Sequence, residues 1–493
     1  MWKPPIARCG VAGAKSREGR WLAGGYGRIR AWRVAGQEGK LYLDLTDDAW
    51  RAVEIDEAGW RIVNEPPVRF RRAAGMQPLP TPTSGGAVEM LRTFLNVSGN
   101  GDFVLVVAWA LAVLHDKGPY PVIVLSGEQG SAKSTFYGIL RALLDPNSAP
   151  LRAPPREDRD LFIAATNGYV LTFDNVSGLP PWISDTLCRL ATGDGIAVRQ
   201  LYSDQDEVLF NATRPVVLNG IEDIVTRPDL ADWAIILTPE PIPEERRRSE
   251  KDLWAAFDKA RPQILSALLD AVSLGLRRLP ETKLEKLPRM AYFALWVTAC
   301  EGAVWEVGTF WRAYASNRDE GVDSGIEADP VGSAVRTLMA TRTKWSRTAS
   351  DLLSALSEEV GERMQRAKAW PATPSALSGR VRRAATFLRK IGIDIVFSKD
   401  GRTRTRTIQI FCSPEISSRK PSASSTPSAS PEKTVLANGS SGTSLRTVPR
   451  PADANGELAD STTVLNNTGE SMVADGADGA DAKITSLLLS RSK

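Results

Sequence analysis

The sequence predicts an α/β fold with a largely parallel sheet, a helical subdomain, a small basic C-terminal unit and a disordered tail. Three observations predict it. Residues 120–237 alternate short apolar runs with helical patterns, which is typical of a parallel sheet. Residues 251–315 have apolar side chains at helical spacing. From residue 413 onwards, 81 residues contain sixteen Ser and no Phe, Trp or Tyr, too little apolar surface to offset the entropy of an ordered chain.

The chain has 493 residues, enough for two or three domains. Residues 41–63 alternate like short strands with a turn at Ala58–Gly59, and Pro78–Gly86 has the composition of a linker. We therefore expect an unassigned basic arm at 1–40 (truncated or non-native, or a true arm), a small β region and linker at 41–86, an α/β core at 87–250, a helical subdomain at 251–329, a basic unit at 330–412 and the disordered tail at 413–493.

Charge is unevenly spread along the chain, although the net charge is only +4. Residues 1–40 carry 9 basic and 2 acidic side chains, and residues 340–412 carry 15 and 6. The body between them, 41–339, carries 30 basic and 41 acidic side chains. Basic segments favour a polyanionic partner such as DNA, and a merely solvated basic face is the alternative.

Cysteine and histidine are scarce, which disfavours several site types. The four cysteines are isolated and there is one histidine, too few ligands for zinc and too few partners for Ser–His or Cys–His catalysis. Isolated cysteines are typical of reduced thiols, which predicts a cytoplasmic protein. The longest apolar run is Phe103–Leu114, whereas a membrane helix needs about 20 residues, so we expect a buried helix and no membrane partner.

The strongest local signal is a glycine-rich turn between the apolar run Val122–Leu125 and a helical stretch, the context of a phosphate-binding loop. Glycines let backbone N–H groups converge on phosphate oxygens. Lys133 would reach the β- and γ-phosphates of ATP, and the Ser134 hydroxyl would bind Mg²⁺. The predicted nucleotide contacts are Gly127, Glu128, Gln129, Gly130, Ser131, Ala132, Lys133, Ser134 and Thr135.

Ala132 stands where the usual loop pattern has its second glycine. Because this position begins the helix, we expect alanine to be tolerated there better than at a position with positive φ.

Two further strands end in polar residues. Asp174 follows the apolar run Tyr169–Phe173 and is placed to hold Mg²⁺ or its water, although a strand-end cap is the alternative. Asn175 stands where an acid often orients the attacking water, and an amide cannot take the proton. Asn219 ends a third strand, where it could bind that water and the γ-phosphate or simply form an Asn-Gly turn with Gly220.

The order GEQGSAKST, VLTFDN, LATGDGIAVRQLY, RPVVLNG resembles superfamily 3 helicases, and more narrowly the helicase part of phage, plasmid and mobile-element primase-helicases. The resemblance implies an AAA+-like P-loop ATPase core that forms a homo-oligomeric ring around DNA. Asp174 then matches the Walker B aspartate and Asn219 the sensor asparagine. Thr192–Gln200 matches a DNA-contacting pore hairpin, with Arg199 as the phosphate contact, although Arg199 taken alone is more typical of a surface arginine. No primase domain is recognisable upstream, so a primase would be a separate partner.

Relatives have an arginine where this chain has Trp233. Such an arginine commonly reaches the γ-phosphate of the neighbouring subunit. Arg227 is the candidate substitute.

The C-terminal unit resembles a winged helix-turn-helix. Pro374–Lys390 is the predicted recognition helix, and the arginine-rich hairpin that turns at Lys399–Gly401 is the predicted wing. A winged helix that binds protein, or a solvated edge strand, is the alternative. The predicted DNA contacts are Arg380, Arg382, Arg383, Lys399, Arg402, Arg404 and Arg406.

These patterns together predict an ATP-dependent DNA helicase or translocase of phage or mobile-element replication, with Mg²⁺ at the nucleotide. Two alternatives stay open. One is an ATP-binding switch or origin-binding protein with weak hydrolysis, suggested by Asn175 and Trp233. The other is a regulatory winged-helix DNA-binding protein with a relic ATPase.

Overall fold

The computed structural model describes residues 30–193, 196–199, 207–210, 213–220, 224–225, 227–399 and 406–412, which belong to the first of two compact units, residues 1–421. The predicted arm up to residue 29, the wing residues Arg402 and Arg404, and the predicted tail from 413 lie outside the described residues.

The N-terminal strands form an antiparallel sheet of four strands and a separate parallel pair. Their bounds are β1 Arg30–Ala31, β2 Val34–Gln37, β3 Lys40–Asp44, β4 Ala52–Asp56, β5 Gly59–Val63 and β6 Arg69–Phe70. Strands β2 to β5 pair in sequence order, and β1 pairs with β6 in parallel. The short strands that were predicted from alternation are confirmed, and the turn predicted at Ala58–Gly59 lies one residue earlier, at Glu57–Ala58, because Gly59 begins β5.

A parallel sheet of four strands follows, in the order β12-β7-β11-β8, as the alternating pattern predicts. A 3-10 helix, Val88–Phe94, precedes it. The elements are α1 Asn100–Val113, β7 Val122–Ser126, α2 Lys133–Leu144, α3 Asp158–Thr166, β8 Leu171–Phe173, α4 Pro181–Thr192, β9 Ile196–Arg199, β10 Glu207–Phe210, β11 Val216–Gly220, α5 Pro228–Ala231 and β12 Ala234–Leu237. Helix α1 is buried from Phe103 onwards, which explains its uniformly apolar sequence.

The helical part contains α6 Glu250–Arg278, α7 Ala291–Cys300 and α8 Thr309–Glu327, with short 3-10 turns at Glu244–Arg246 and Glu301–Ala303. Apolar side chains from β2 to β5, α1, α2, α6 and α7 form one continuous core. No helix of the described part is long and apolar enough to span a bilayer.

The basic C-terminal unit at residues 330–412 lies within the first compact unit and has a second apolar core. Its elements are α9 Pro330–Ala340, β13 Lys344–Thr348, α10 Ala349–Glu359, α11 Glu362–Gln365, α12 Pro374–Lys390, β14 Ile393–Lys399 and β15 Arg406–Cys412. The three strands form an antiparallel sheet in the order β13-β15-β14, and α12 has the bounds that its sequence predicts. Strand β13 was not predicted.

Candidate functional site

The carboxyl ends of three parallel strands bring the predicted nucleotide residues together. Strand β11 lies between β7 and β8, with Asn219 opposite Leu125 and Leu218 opposite Phe173. Asp174 comes one residue after β8, and the predicted phosphate-binding loop comes directly after β7. In open parallel sheets, ligands bind outside this edge. The topology therefore places Lys133, Asp174 and Asn219 on the binding side of the sheet.

Asp174 and Asn219 are joined by a hydrogen bond. The Nδ2 of Asn219 donates to Oδ1 of Asp174, and the backbone N–H of Asn175 donates to the same oxygen at 2.8 Å. Asn219 is buried inside β11, so it is not the turn residue of an Asn-Gly turn. Asn175 is exposed at a φ of 56°, a left-handed conformation that asparagine tolerates.

The loop adopts left-handed backbone at two positions. Gly130 has a φ of 88° and Ala132 a φ of 55°. The expectation that Ala132 avoids a positive φ is therefore wrong: helix α2 does begin at Lys133, but Ala132 is the residue that caps it in the left-handed region. This conformation costs a residue with a Cβ about 1–2 kcal/mol.

Lys133 turns back into the loop. Its Nζ donates to the carbonyl oxygens of Gly127 and Glu128, each at 2.7 Å, and to Oγ of Ser131 at 3.2 Å. Burial lowers the pKa of the Lys133 ammonium, and the nearby carboxylate of Asp174 partly opposes that shift. The ammonium is thus held at the centre of the loop by acceptors that a phosphate oxygen could replace.

Tyr137 is a site residue that the sequence patterns missed. It lies one turn into α2 and is buried. Burial raises the pKa of its hydroxyl to about 12. The nearby side chains of Ser134, Asp174 and Asn219 also influence this pKa. None of the described residues makes a well-aligned hydrogen bond to this hydroxyl. The spacing of four residues from Lys133 is the one sequence signal that could have found it.

The oxygen atoms at this edge fit a magnesium ion. The Oδ1 of Asn219 and the hydroxyl of Tyr137 are buried without a hydrogen-bond partner in the described part of the chain. They stand with the Ser134 hydroxyl and the Asp174 carboxylate, and hard oxygen donors of this kind suit Mg²⁺.

Arg227 and Trp233 flank the short helix α5. Arg227 pairs with Asp185 at 3.0 Å and with Asp229 at 3.6 Å, and one third of its side chain is exposed. Trp233 is partly buried against the main core, and the guanidinium of Arg289 lies 5.2 Å from its ring centroid. Trp233 therefore has a packing role in this structure.

Two paired strands lie in the region of the predicted pore hairpin. Strands β9 and β10 pair antiparallel, with Arg199 opposite Glu207. The Arg199 side chain lies outside the described part of the structure.

A basic groove opens in the C-terminal unit between α12 and the strands β14 and β15. It encloses about 550 Å³, and Arg382, Lys399 and Arg406 line it together with Ser375 and Ser378. The guanidinium of Arg382 lies 4.5 Å from the ring centroid of Phe397. Three of the predicted DNA contacts therefore share one groove.

Arg380 and Arg383, which were also predicted to contact DNA, lie outside this groove. Arg380 donates to the carbonyl oxygen of Ala369, in the segment before α12. Arg383 is exposed on α12 and does not line the groove.

Two family models match this chain. Residues 88–323 match the model of an actinomycete integrative conjugative element replication protein, AICE RepA, and residues 331–427 match the model of the AICE RepA C-terminal domain. Over these residues the chain is similar to replication proteins of actinomycete conjugative elements. These matches support the predicted link to mobile-element replication. No curated protein matches the chain in sequence.

Solved structures give weaker likenesses. The C-terminal region of NrS-1, in an apo form, is 11% identical with a TM-score of 0.35, over 74% of this chain and 94% of that chain. JCV helicase with a bound acetamide compound is 13% identical with a TM-score of 0.24, over 48% of this chain and 70% of that chain. At these TM-scores the likenesses carry no conclusion.

Proposed function

We propose that the protein is an ATP- and Mg²⁺-dependent DNA helicase or translocase that acts in the replication of a mobile element. The observation that supports the proposal is the arrangement of side chains at the carboxyl ends of the parallel strands. There Lys133 is held in a glycine-rich loop at the start of α2, close to an Asp174–Asn219 pair. This arrangement has the parts that phosphoryl transfer needs: a phosphate cradle, a cation and an oxygen site for the metal.

Each residue has a distinct task in this proposal. The free N–H groups at the start of α2 bind phosphate oxygens, and Lys133 exchanges its loop carbonyl acceptors for the β- and γ-phosphates. Ser134 and Asp174 hold Mg²⁺, which would neutralise charge on the transferring phosphate. Asn219, fixed by its bond to Asp174, orients the attacking water.

The basic groove supports the DNA part of the proposal. Arg382, Lys399 and Arg406 converge on one groove, and each can neutralise a phosphate and release counterions. The order of elements α9, β13, α10, α11, α12, β14, β15 supports a winged helix, with α12 for recognition. Arg199 in the β9–β10 pair would contact DNA inside a homo-oligomeric ring. A separate primase would complete the replication machinery.

The test is ATP turnover by the full chain, with and without single-stranded DNA. We expect DNA-stimulated turnover that Lys133→Ala reduces by about 100-fold or more, because it removes a charge aimed at the transferring phosphate. Lys259→Ala, on the exposed face of α6, is the matched control and should leave turnover unchanged. Undiminished turnover in Lys133→Ala would contradict the proposal.

A second candidate is an ATP-binding switch that acts at an origin with little hydrolysis. Asn175 favours it, because this exposed amide stands where a carboxylate would accept the proton of the attacking water. ATP binding without turnover would support the switch. If ATP does not bind at all, the relic ATPase with a DNA-binding C-terminal unit remains.

A further inference from the structure

A segment that follows the parallel sheet is fixed against the predicted phosphate-binding loop. The backbone N–H of Ile242 donates to the carbonyl oxygen of Gly130 at 3.2 Å. Asn96 donates from its Nδ2 to the carbonyl oxygens of both Ser131, at 3.0 Å, and Glu240, at 2.7 Å. The segment that begins at Glu240 is therefore held to the loop by two independent sets of hydrogen bonds.

Arg247 lies at the end of this segment and faces the loop. Its Nε donates to the carbonyl oxygen of Ile242 at 3.2 Å, which directs the side chain back along the segment. Its Nη2 lies 4.0 Å from the place that a Cβ would take on Gly130. Gly130 thus supplies a positive φ and also borders the space that the guanidinium occupies.

The guanidinium of Arg247 is available for a stronger partner. Its pair with Glu244 is 3.6 Å long, and the two side chains are 57% and 86% exposed. Ion pairs this exposed contribute little to stability. A polyphosphate carries more charge than one carboxylate, and its oxygens match the fork of N–H donors on arginine.

We propose that Arg247 binds the polyphosphate of the nucleotide in the loop of its own chain. This inference rests on the proposed nucleotide site. Lys133 would reach the phosphates from the start of α2, and Arg247 would reach them from its place beside Gly130. A cation supplied by the same chain would act before any subunit interface forms.

The two neighbouring arginines provide matched controls. Arg248 donates from Nη1 to the carbonyl oxygen of Thr93 at 3.4 Å, so it is directed to the 3-10 helix before α1. Arg246 is exposed at the end of the turn that precedes Arg247. Arg246→Ala removes the same net charge one residue away, which separates a direct contact from a general field effect.

The test is calorimetric titration of the full chain with Mg²⁺–ATP at fixed ionic strength. We expect Arg247→Ala to weaken ATP binding about ten-fold or more, because it removes charge-assisted hydrogen bonds. Arg246→Ala should stay within about two-fold of the unmodified chain. Arg247→Lys should weaken ATP binding less than Arg247→Ala does, because lysine keeps the positive charge but lacks the planar set of N–H donors. Thermal unfolding of each variant checks that the fold is intact.

Two outcomes would overturn the inference, and they are distinguishable. If the unmodified chain binds ATP and Arg247→Ala binds it as tightly as Arg246→Ala does, Arg247 has no contact with the nucleotide while the proposed site stands. If the unmodified chain binds no ATP, the proposed site fails and the inference fails with it.

Discussion

Ala132 shows how one residue can depart from both a motif and an expectation. It occupies the glycine position of the loop, and its φ of 55° is one that glycine adopts without steric cost. Lys133, its neighbour, is the first residue of α2, so the strained residue directly precedes the residue that carries the charge. Strain of this kind persists where surrounding contacts fix the backbone.

Ala132→Gly should stabilise the protein. The substitution removes a left-handed Cβ, and after the added freedom of glycine in the unfolded chain we expect a net gain of about 1 kcal/mol in the free energy of unfolding. Denaturant unfolding of the full chain measures it. Ala142→Gly, within the helical part of α2, is the control and should lose about 1 kcal/mol instead. A lower free energy of unfolding in both variants would contradict this account.

Some residues of the candidate site can be found from local sequence patterns, and others cannot. Lys133 and Ser134 belong to one contiguous motif, and Asp174 and Asn219 each end an apolar run, so linear patterns find all four. Arg247 is different, because nothing in its neighbourhood of glutamates and arginines points to the loop. Its placement depends on Ile242 pairing with Gly130, a contact between distant parts of the chain.

At the scale of elements, α12 and the adjacent hairpin were predictable to different degrees. Thr373 caps α12 through a bond from the N–H of Ala376, and Pro374 takes the first helical position, so the start of α12 is written in its sequence. Strand β13 has no such signal. Its residues KWSRT are polar and mostly exposed, and it is a strand only because it pairs with β15 along the edge of the sheet.

Arg382→Ala should weaken duplex DNA binding and reduce its salt dependence. Arg382 lines the groove with Lys399 and Arg406, and it stacks on Phe397, so its guanidinium is held in place. Loss of one phosphate contact should reduce the slope of log affinity against log salt by about 1. Fluorescence anisotropy titrations of a labelled duplex at several salt concentrations measure this slope.

Arg383→Ala is the matched control for that measurement, because Arg383 is the next residue on α12 and lies outside the groove. We expect its slope to stay close to that of the unmodified chain. Equal slopes for the two variants would favour a solvated basic face over a built DNA contact.

At the scale of the whole molecule, the N-terminal strands belong to the main core. Composition alone suggests that they are separate from the α/β core, since Pro78–Gly86 has the composition of a linker. In the structure this stretch is held at both ends: the N–H of Leu79 donates to Leu45, and the N–H of Thr83 donates to Pro262 in α6. A local pattern reports backbone irregularity and cannot report what that backbone packs against.

A buried ion pair joins the N-terminal strands to the end of helix α2. The Nη2 of Arg33 lies 2.9 Å from Oδ1 of Asp145, which follows α2, and both side chains are fully buried. Arg33 also donates to the carbonyl oxygen of Asp44 at 3.2 Å. The second oxygen of Asp145 accepts from the N–H of Val170 at 3.0 Å and pairs with Arg141 at 3.4 Å. One carboxylate thus connects the first sheet, α2 and the strand that leads to Asp174.

Arg33→Ala should destabilise the protein strongly. Removing one partner leaves Asp145 buried without its main counter-charge, which typically costs about 3–5 kcal/mol. Lys40→Ala is the control: Lys40 pairs with Glu54 at 2.8 Å on the same sheet, but 36% of its side chain is exposed, so we expect a loss below about 1 kcal/mol. Denaturant unfolding of the full chain compares the two. If Arg33→Ala lowers the free energy of unfolding no more than Lys40→Ala does, the ion pair does not hold the first sheet to α2. If the larger cost appears, the N-terminal strands form one cooperative unit with α2, and any truncation that removes them should also impair nucleotide binding.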